Sequence, residues 1–306
     1  MIDAALLFFI NVLWAAAYPM AKFAISGGVP SVTLAWARWA IAMLLLPLFA
    51  RSVLRVSLRL PRPDLFRALG LGALALGLVH ILVFVGLKYT TAVDATLLLA
   101  AEPLVMAVMS VLLLREGMSK RAVWGMLLGF AGAYLLINRG LIPPLHDRGT
   151  LIGNLLVALS VLVEGTGTVL SRGLTRRYSG IVVLFWESVG ATIALVVPAY
   201  LFWAASPAVP SPAALGAVFY LGMVNSAFCY AVWFVLMERH HVGNMGVFIF
   251  VQPVFGALMG VLWLKEPFGV YTAIGSAMVL SGVWLTTRPT VEEGAQRCAT
   301  DTPVRR

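Results

Sequence analysis

The chain repeats itself, without a gap, at an offset of 150 residues. Pro103, Glu116, Gly125 and Gly132 recur as Pro253, Glu266, Gly275 and Gly282, and ten positions between 103 and 135 are identical to their copies. The register holds upstream, with Trp36 over Trp186, Gly72 over Gly222 and Phe84 over Phe234. One structural unit is used twice, so whatever packing serves the first copy must serve the second. Duplicated apolar units of this kind build membrane assemblies with two related halves around a central site.

The apolar character is plain from composition. Of 306 residues, 61% are hydrophobic and 11% charged, against roughly 25% charged in soluble domains. Runs of about 20 apolar residues recur, each enough to cross ~30 Å of hydrocarbon. Spans are expected near 3–24, 32–50, 64–87, 92–114, 119–138, 150–171, 180–203, 213–237, 243–264 and 268–287. The first run opens Met1-Ile2-Asp3, without a basic n-region or a small-residue cleavage site, and reads as a retained span. Cys229 and Cys298 form no disulfide framework.

Basic residues set an orientation. With a cytoplasmic N-terminus, sixteen Lys and Arg fall in inside segments and four, Lys88, Arg139, Arg148 and Lys265, in outside segments. Both termini are therefore expected in the cytoplasm. The net charge of +9 is topological information and affinity for anionic lipid, with no nucleic-acid partner implied. Each copy holds five spans, an odd number, so the second must insert upside down. The expected fold is an all-α polytopic membrane protein of ten transmembrane helices in two inverted five-helix repeats. The first repeat covers 1–138, a linker 139–149, the second repeat 150–287 and a disordered cytoplasmic tail 288–306.

Two five-span halves, each with a proline-centred fourth span that ends in Leu-Arg/Lys-Glu before a Gly-rich fifth, resemble the EamA-type proteins of the drug/metabolite transporter superfamily. The matching residues are Trp14 and Lys22 in span 1, Arg38 in span 2, Pro103…Glu116…Gly125…Gly132, and the copy Pro253…Glu266…Gly275…Gly282. The resemblance covers 3–287 and is greatest to the aromatic amino-acid exporters of the YddG type. It implies a secondary transporter of small metabolites. Substrates in the superfamily range over amino acids, drugs, sugar phosphates and nucleotide sugars.

Polar residues inside the spans are the candidate site. Asn11, Trp14, Tyr18 and Lys22 lie 3, 4 and 4 residues apart, on one helical face. The copies of the last three are Glu164, Thr168 and Arg172. The two end residues, Lys22 and Arg172, are expected to snorkel to the interface. His80 lies over Tyr230, and Ser226, Tyr230 and Trp233 share a face. Glu102-Pro103 lies over Gln252-Pro253, placing a helix kink beside a polar group and making both prolines hinge candidates. Arg38 reads as a structural charge able to pair with an intramembrane acid that the sequence does not single out, and Glu116 and Glu266 read as structural charges at helix starts.

Neither a nucleotide-binding loop nor a catalytic or cofactor motif is present, and His240-His241 lack the further ligands a metal site needs. No cofactor is expected, and the chain is not expected to be an enzyme. An intramembrane acid–base pair of His80 with Glu102 or Glu164 is the weak rival. The expected substrate is an amino acid, with a proton as the candidate coupling ion; an organic cation is the alternative.

Overall fold

A computed structural model describes residues 2–52, 55–86, 89, 98–138, 151–205, 209–255, 258 and 269–287. Among them every regular element is helical. The helices are α1 (Ile2–Ser26), α2 (Ser31–Ser52), α3 (62–86), α4 (Glu102–Leu114), α5 (Lys120–Asn138), α6 (Leu151–Thr175), α7 (Gly180–Ala205), α8 (Pro212–Met237), α9 (Val242–Phe255) and α10 (Val270–Thr287). Helices α1, α2, α3, α6, α7 and α8 are long and apolar enough to cross a membrane, and α4, α9 and α10 contribute shorter apolar stretches. The chain is a polytopic membrane protein. The linker 139–149, Glu266 and the tail 288–306 lie outside the described residues, as do the side chains of Tyr18 and Lys22.

Several helices are interrupted. In α1, Pro19 supplies no N–H, and the helix breaks at Ala16. Beside the break the Leu13 carbonyl accepts from the Ala16 N–H at 3.2 Å and, across to α8, from the Tyr220 hydroxyl at 3.2 Å and the Asn225 amide at 3.4 Å. These bonds fasten the interrupted stretch of α1 to α8, in a medium where an unpaired backbone group costs several kcal/mol. In α3 and α8 the turns widen into π-helix, over Gly72–Leu78 and Leu221–Cys229. The two widened segments occupy matching places in the repeat.

The fourth span differs from the kinked helix expected for 92–114. The chain turns at Ala100–Ala101 and α4 starts afresh at Glu102. Pro103 thus sits in a first turn, where the missing N–H needs no partner. Its copy Pro253 follows a tightened 3₁₀ turn at Val247–Phe250.

Glycines set the closest approaches. A Cβ on Gly125 would meet the carbonyl of Gly282, and one on Gly132 would meet that of Gly275. The contacts descend along α10 as they ascend along α5, so these two helices run antiparallel. Each glycine also touches the copy of the other contact's partner, as a two-fold relation requires. Other extensive pairings are α3 with α6, α2 with α7, α3 with α7, and α8 with α2. The last two exchange under the same 150-residue shift. The main core lies where α2, α7 and α8 meet, around Trp39, Leu46, Leu184 and Phe234.

Candidate functional site

The polar residues converge between α1, α2, α3, α4, α6 and α8. Arg38 of α2 donates from Nε to the Ser226 hydroxyl at 2.8 Å and from Nη1 to His80 Nε2 at 3.1 Å. A guanidinium can only donate, so Nε2 accepts and the His80 proton sits on Nδ1. From there it bonds the Leu76 carbonyl at 2.7 Å, inside the widened turn of α3. The bonding pattern is that of a neutral imidazole.

Glu102 at the start of α4 and Glu164 in the middle of α6 lie within electrostatic reach of each other, and Arg38 lies within reach of Glu164. The two carrying helices touch closely: a Cβ on Gly165 would press Val105 at 2.8 Å. His80, Glu102 and Glu164 lie deep in the bundle, yet each keeps accessible surface. Side chains with that combination wall an internal space.

An aromatic chain closes one side. Ring centroids are 5.6 Å apart for Trp233 and Trp14, 5.0 Å for Trp14 and Tyr230, 5.0 Å for Tyr230 and Trp39, and 6.2 Å for Trp39 and His80. Most meet edge to face, the favourable quadrupole arrangement. Trp14 is fixed by its indole N–H to the Asn225 carbonyl at 3.2 Å. Among the described residues, two buried polar atoms here lack a partner: Trp39 Nε1 and Asn225 Oδ1. Buried orphans are uncommon and mark places where water or a ligand completes the bonding.

Other candidates fall outside this core. Asn11 is fully buried; its amide donates to the Leu7 carbonyl at 2.8 Å and accepts from Gln252 at 2.9 Å. That bond ties α1 to α9. Thr168 is half-buried, one turn beyond Glu164. Ser226 and Trp233 are buried behind Arg38 and Trp14. Glu116 forms a separate cluster at the end of α4. Its carboxylate accepts from Ser110 and Arg176 at 2.7 Å each and lies 3.5 Å from Arg172 and 3.6 Å from His241. Ser119, not Glu116, caps α5, accepting from the Ala122 N–H at 3.1 Å. Arg172 does not snorkel outward as expected. It is buried, and also donates to the Glu238 carbonyl at 3.0 Å, because an acid and a carbonyl are waiting inside.

Glu187 of α7 is buried and accepts from Ser171 at 2.6 Å. It stands behind Gly72, where a Cβ would overlap its backbone. Trp39 is the site residue that sequence reasoning missed. The repeat drew attention to Trp36, which is matched by Trp186; Trp39 is opposite Val189, and that mismatch was the available signal.

The EamA-like transporter family model matches residues 2–138 and again 151–288. The chain belongs to the EamA-like transporter family. An uncharacterized transporter of Archaeoglobus fulgidus is 28% identical over 231 residues, 74% of this chain and 79% of that one. A probable terminal-alkyne amino-acid exporter of Streptantibioticus cattleyicolor is 26% identical over 299 residues, 96% of this chain and 95% of the relative. One crystal structure superposes with a TM-score of 0.78 at 24% identity, over 93% of this chain and 96% of that chain. The chain is thus a membrane transporter for small molecules, and its fold has been seen before.

Proposed function

We propose that this EamA-family protein is a secondary transporter that exports amino acids, aromatic ones preferred, by alternating access. One observation carries the reading: a guanidinium lies within electrostatic reach of one carboxyl group, and that one of a second, beside an aromatic wall deep between the helices. An amino-acid zwitterion needs a cation for its carboxylate and an acid for its ammonium. Arg38 serves the first, Glu102 and Glu164 serve the second, and Trp14, Tyr230 and Trp39 receive a ring. The amino-acid exporter of Streptantibioticus cattleyicolor and the likeness to YddG-type exporters support the same class. The opposed glycine contacts of α5 and α10 support two inverted five-helix halves, hence ten spans and two states of similar energy. The basic residues favour both termini inside a bacterial cytoplasmic membrane.

The second reading is an organic-cation exporter. A pair of carboxyl groups beside one guanidinium can give up a proton to receive an organic monocation. Both readings meet one experiment. Purified protein in sealed liposomes is loaded with labelled phenylalanine, leucine or tetraphenylphosphonium, with pyranine inside to report proton movement. Saturable efflux fastest for phenylalanine supports the first reading, and efflux of the cation alone supports the second. Absence of protein-dependent flux for all three overturns both.

A further inference from the structure

On the outer face of the bundle, α3 and α6 enclose an apolar groove lined by Leu71, Leu74, Ala75, Leu162, Thr166 and Leu170. Leu74, Leu162 and Leu170 are exposed, so the groove opens toward lipid. Gly167 forms its floor: a Cβ there would overlap Ala75, which lies in the widened turn of α3. The lack of that side chain lets the helices touch below while their leucines stand apart above.

The groove ends at a charged cluster. Arg67 stands one turn before Leu71 on the same face of α3. Asp64, three residues earlier, accepts two bonds from Arg177 just beyond α6, at 2.9 and 3.2 Å. It also accepts from the Tyr178 hydroxyl at 2.7 Å and from Arg67 at 3.4 Å. Two guanidiniums therefore share one carboxylate, and the cluster keeps one positive charge. Arg67 is 67% exposed and Arg177 49%, with donors left to face the surroundings.

We propose that the groove and this cluster form a site for one anionic phospholipid, with an acyl chain along α3 and α6 and the phosphate diester on Arg67 and Arg177. The charge decides among lipids. A diester phosphate carries one negative charge and matches the surplus, whereas a phosphocholine headgroup adds a cation that the two arginines repel. Basic pockets between membrane helices hold anionic headgroups on the same principle. Lipid seated here braces the contact between α3 and α6, the helices that carry His80 and Glu164.

Native mass spectrometry of the intact protein, titrated with phosphatidylglycerol or phosphatidylcholine of matched chains, tests the site. The wild type should retain phosphatidylglycerol in preference. The double variant Arg67→Gln/Arg177→Gln should lose about thirty-fold in that affinity, at roughly a five- to sixfold loss per arginine. Thr166→Trp fills the groove and leaves the arginines in place, so it should weaken phosphatidylglycerol even if the double variant fails to fold. Glycerol phosphate without chains should not compete. Equal retention of the two lipids by the wild type overturns the proposal. So does unchanged binding by Thr166→Trp, or competition by glycerol phosphate.

Discussion

Replacing Glu116 by Gln should lower stability in a way that depends on pH. The carboxylate side chain is 2% exposed and joins the end of α4 to the end of α6. Gln keeps the shape: its carbonyl can still accept from one arginine, and its NH₂ can donate to Ser110, whose hydroxyl turns to accept. The variant therefore removes charge rather than contacts. A hydrogen bond to a charged group contributes about 1.5–3 kcal/mol, and a neutral one about 0.5–1.5. Arg176 is 43% exposed, so water screens most of its share. Arg172, 8% exposed, bears the larger loss. The sum is about 2 kcal/mol, or a fall in Tm of roughly 4 °C for a chain of this size. Glu116→Ala, which leaves Arg172 facing a void, should cost about 3–4 kcal/mol.

Burial pushes the Glu116 carboxyl up, but the Ser110 hydrogen bond and the charges of His241, Arg172 and Arg176 outweigh it, and it lies below its usual value of 4.5. A carboxyl depressed in the folded state stabilises above its unfolded value, and that contribution is lost as pH falls through the folded one. The gap between wild type and Glu116→Gln should be full at neutral pH and shrink below about pH 4.5. Tryptophan fluorescence during heating in detergent, at one fixed scan rate because unfolding is irreversible in many such proteins, reads both. No gap at neutral pH, or a gap undiminished in acid, refutes the reasoning.

Four further outcomes are expected. Trp14→Ala and Tyr230→Ala each remove edge-to-face partners worth ~0.5–1.5 kcal/mol, so aromatic amino acids should lose several-fold more flux than leucine; equal losses would assign these rings to packing. Arg38→Gln should reduce phenylalanine flux at least tenfold, from the loss of a charge-assisted bond of about 1.5–3 kcal/mol, while sparing an organic cation. Glu102→Gln should alter apparent substrate affinity or the pH dependence of transport with expression intact, and unchanged kinetics would remove Glu102 from the site. Cysteines placed in 51–62 and in 204–211 should be labelled from opposite sides of the membrane; same-side labelling would overturn the ten-span topology.

The fold was legible because membrane helices announce themselves locally. Twenty apolar residues in a row have few alternatives in lipid, and α2, α7 and α8 begin and end within two residues of the ranges read from sequence. The interruptions were harder. Pro19 was in plain view, but whether a proline bends, breaks or merely starts a helix depends on which neighbours bond the backbone beside it. At α1 those neighbours are Tyr220 and Asn225, two hundred residues away. The widened turns of α3 and α8 carry no sequence mark beyond a glycine at matching positions.

The site was legible as a list of residues and not as an arrangement. Trp14, His80, Glu102, Glu164 and Tyr230 stand out because charge and polarity are rare in apolar spans. Arg38 stood out equally, yet its partners Ser226 and His80 come from α8 and α3 and follow only from how those helices pack. Arg172 shows the same limit: at a helix end a basic residue can turn outward or inward, and Glu116 decides which.

The sequence by itself determined that the chain spans a membrane, that it is built twice, and which mid-span residues break the symmetry between copies. These follow from the cost of placing polar groups in hydrocarbon, a cost paid residue by residue. Only the tertiary structure decided that Trp39 links Tyr230 to His80, and that Arg38 stands near Glu164. It also decided that α5 and α10 pack antiparallel through Gly125, Gly132, Gly275 and Gly282. Distances between helices are set by side-chain volumes on both surfaces together, and no single segment of the chain contains that information.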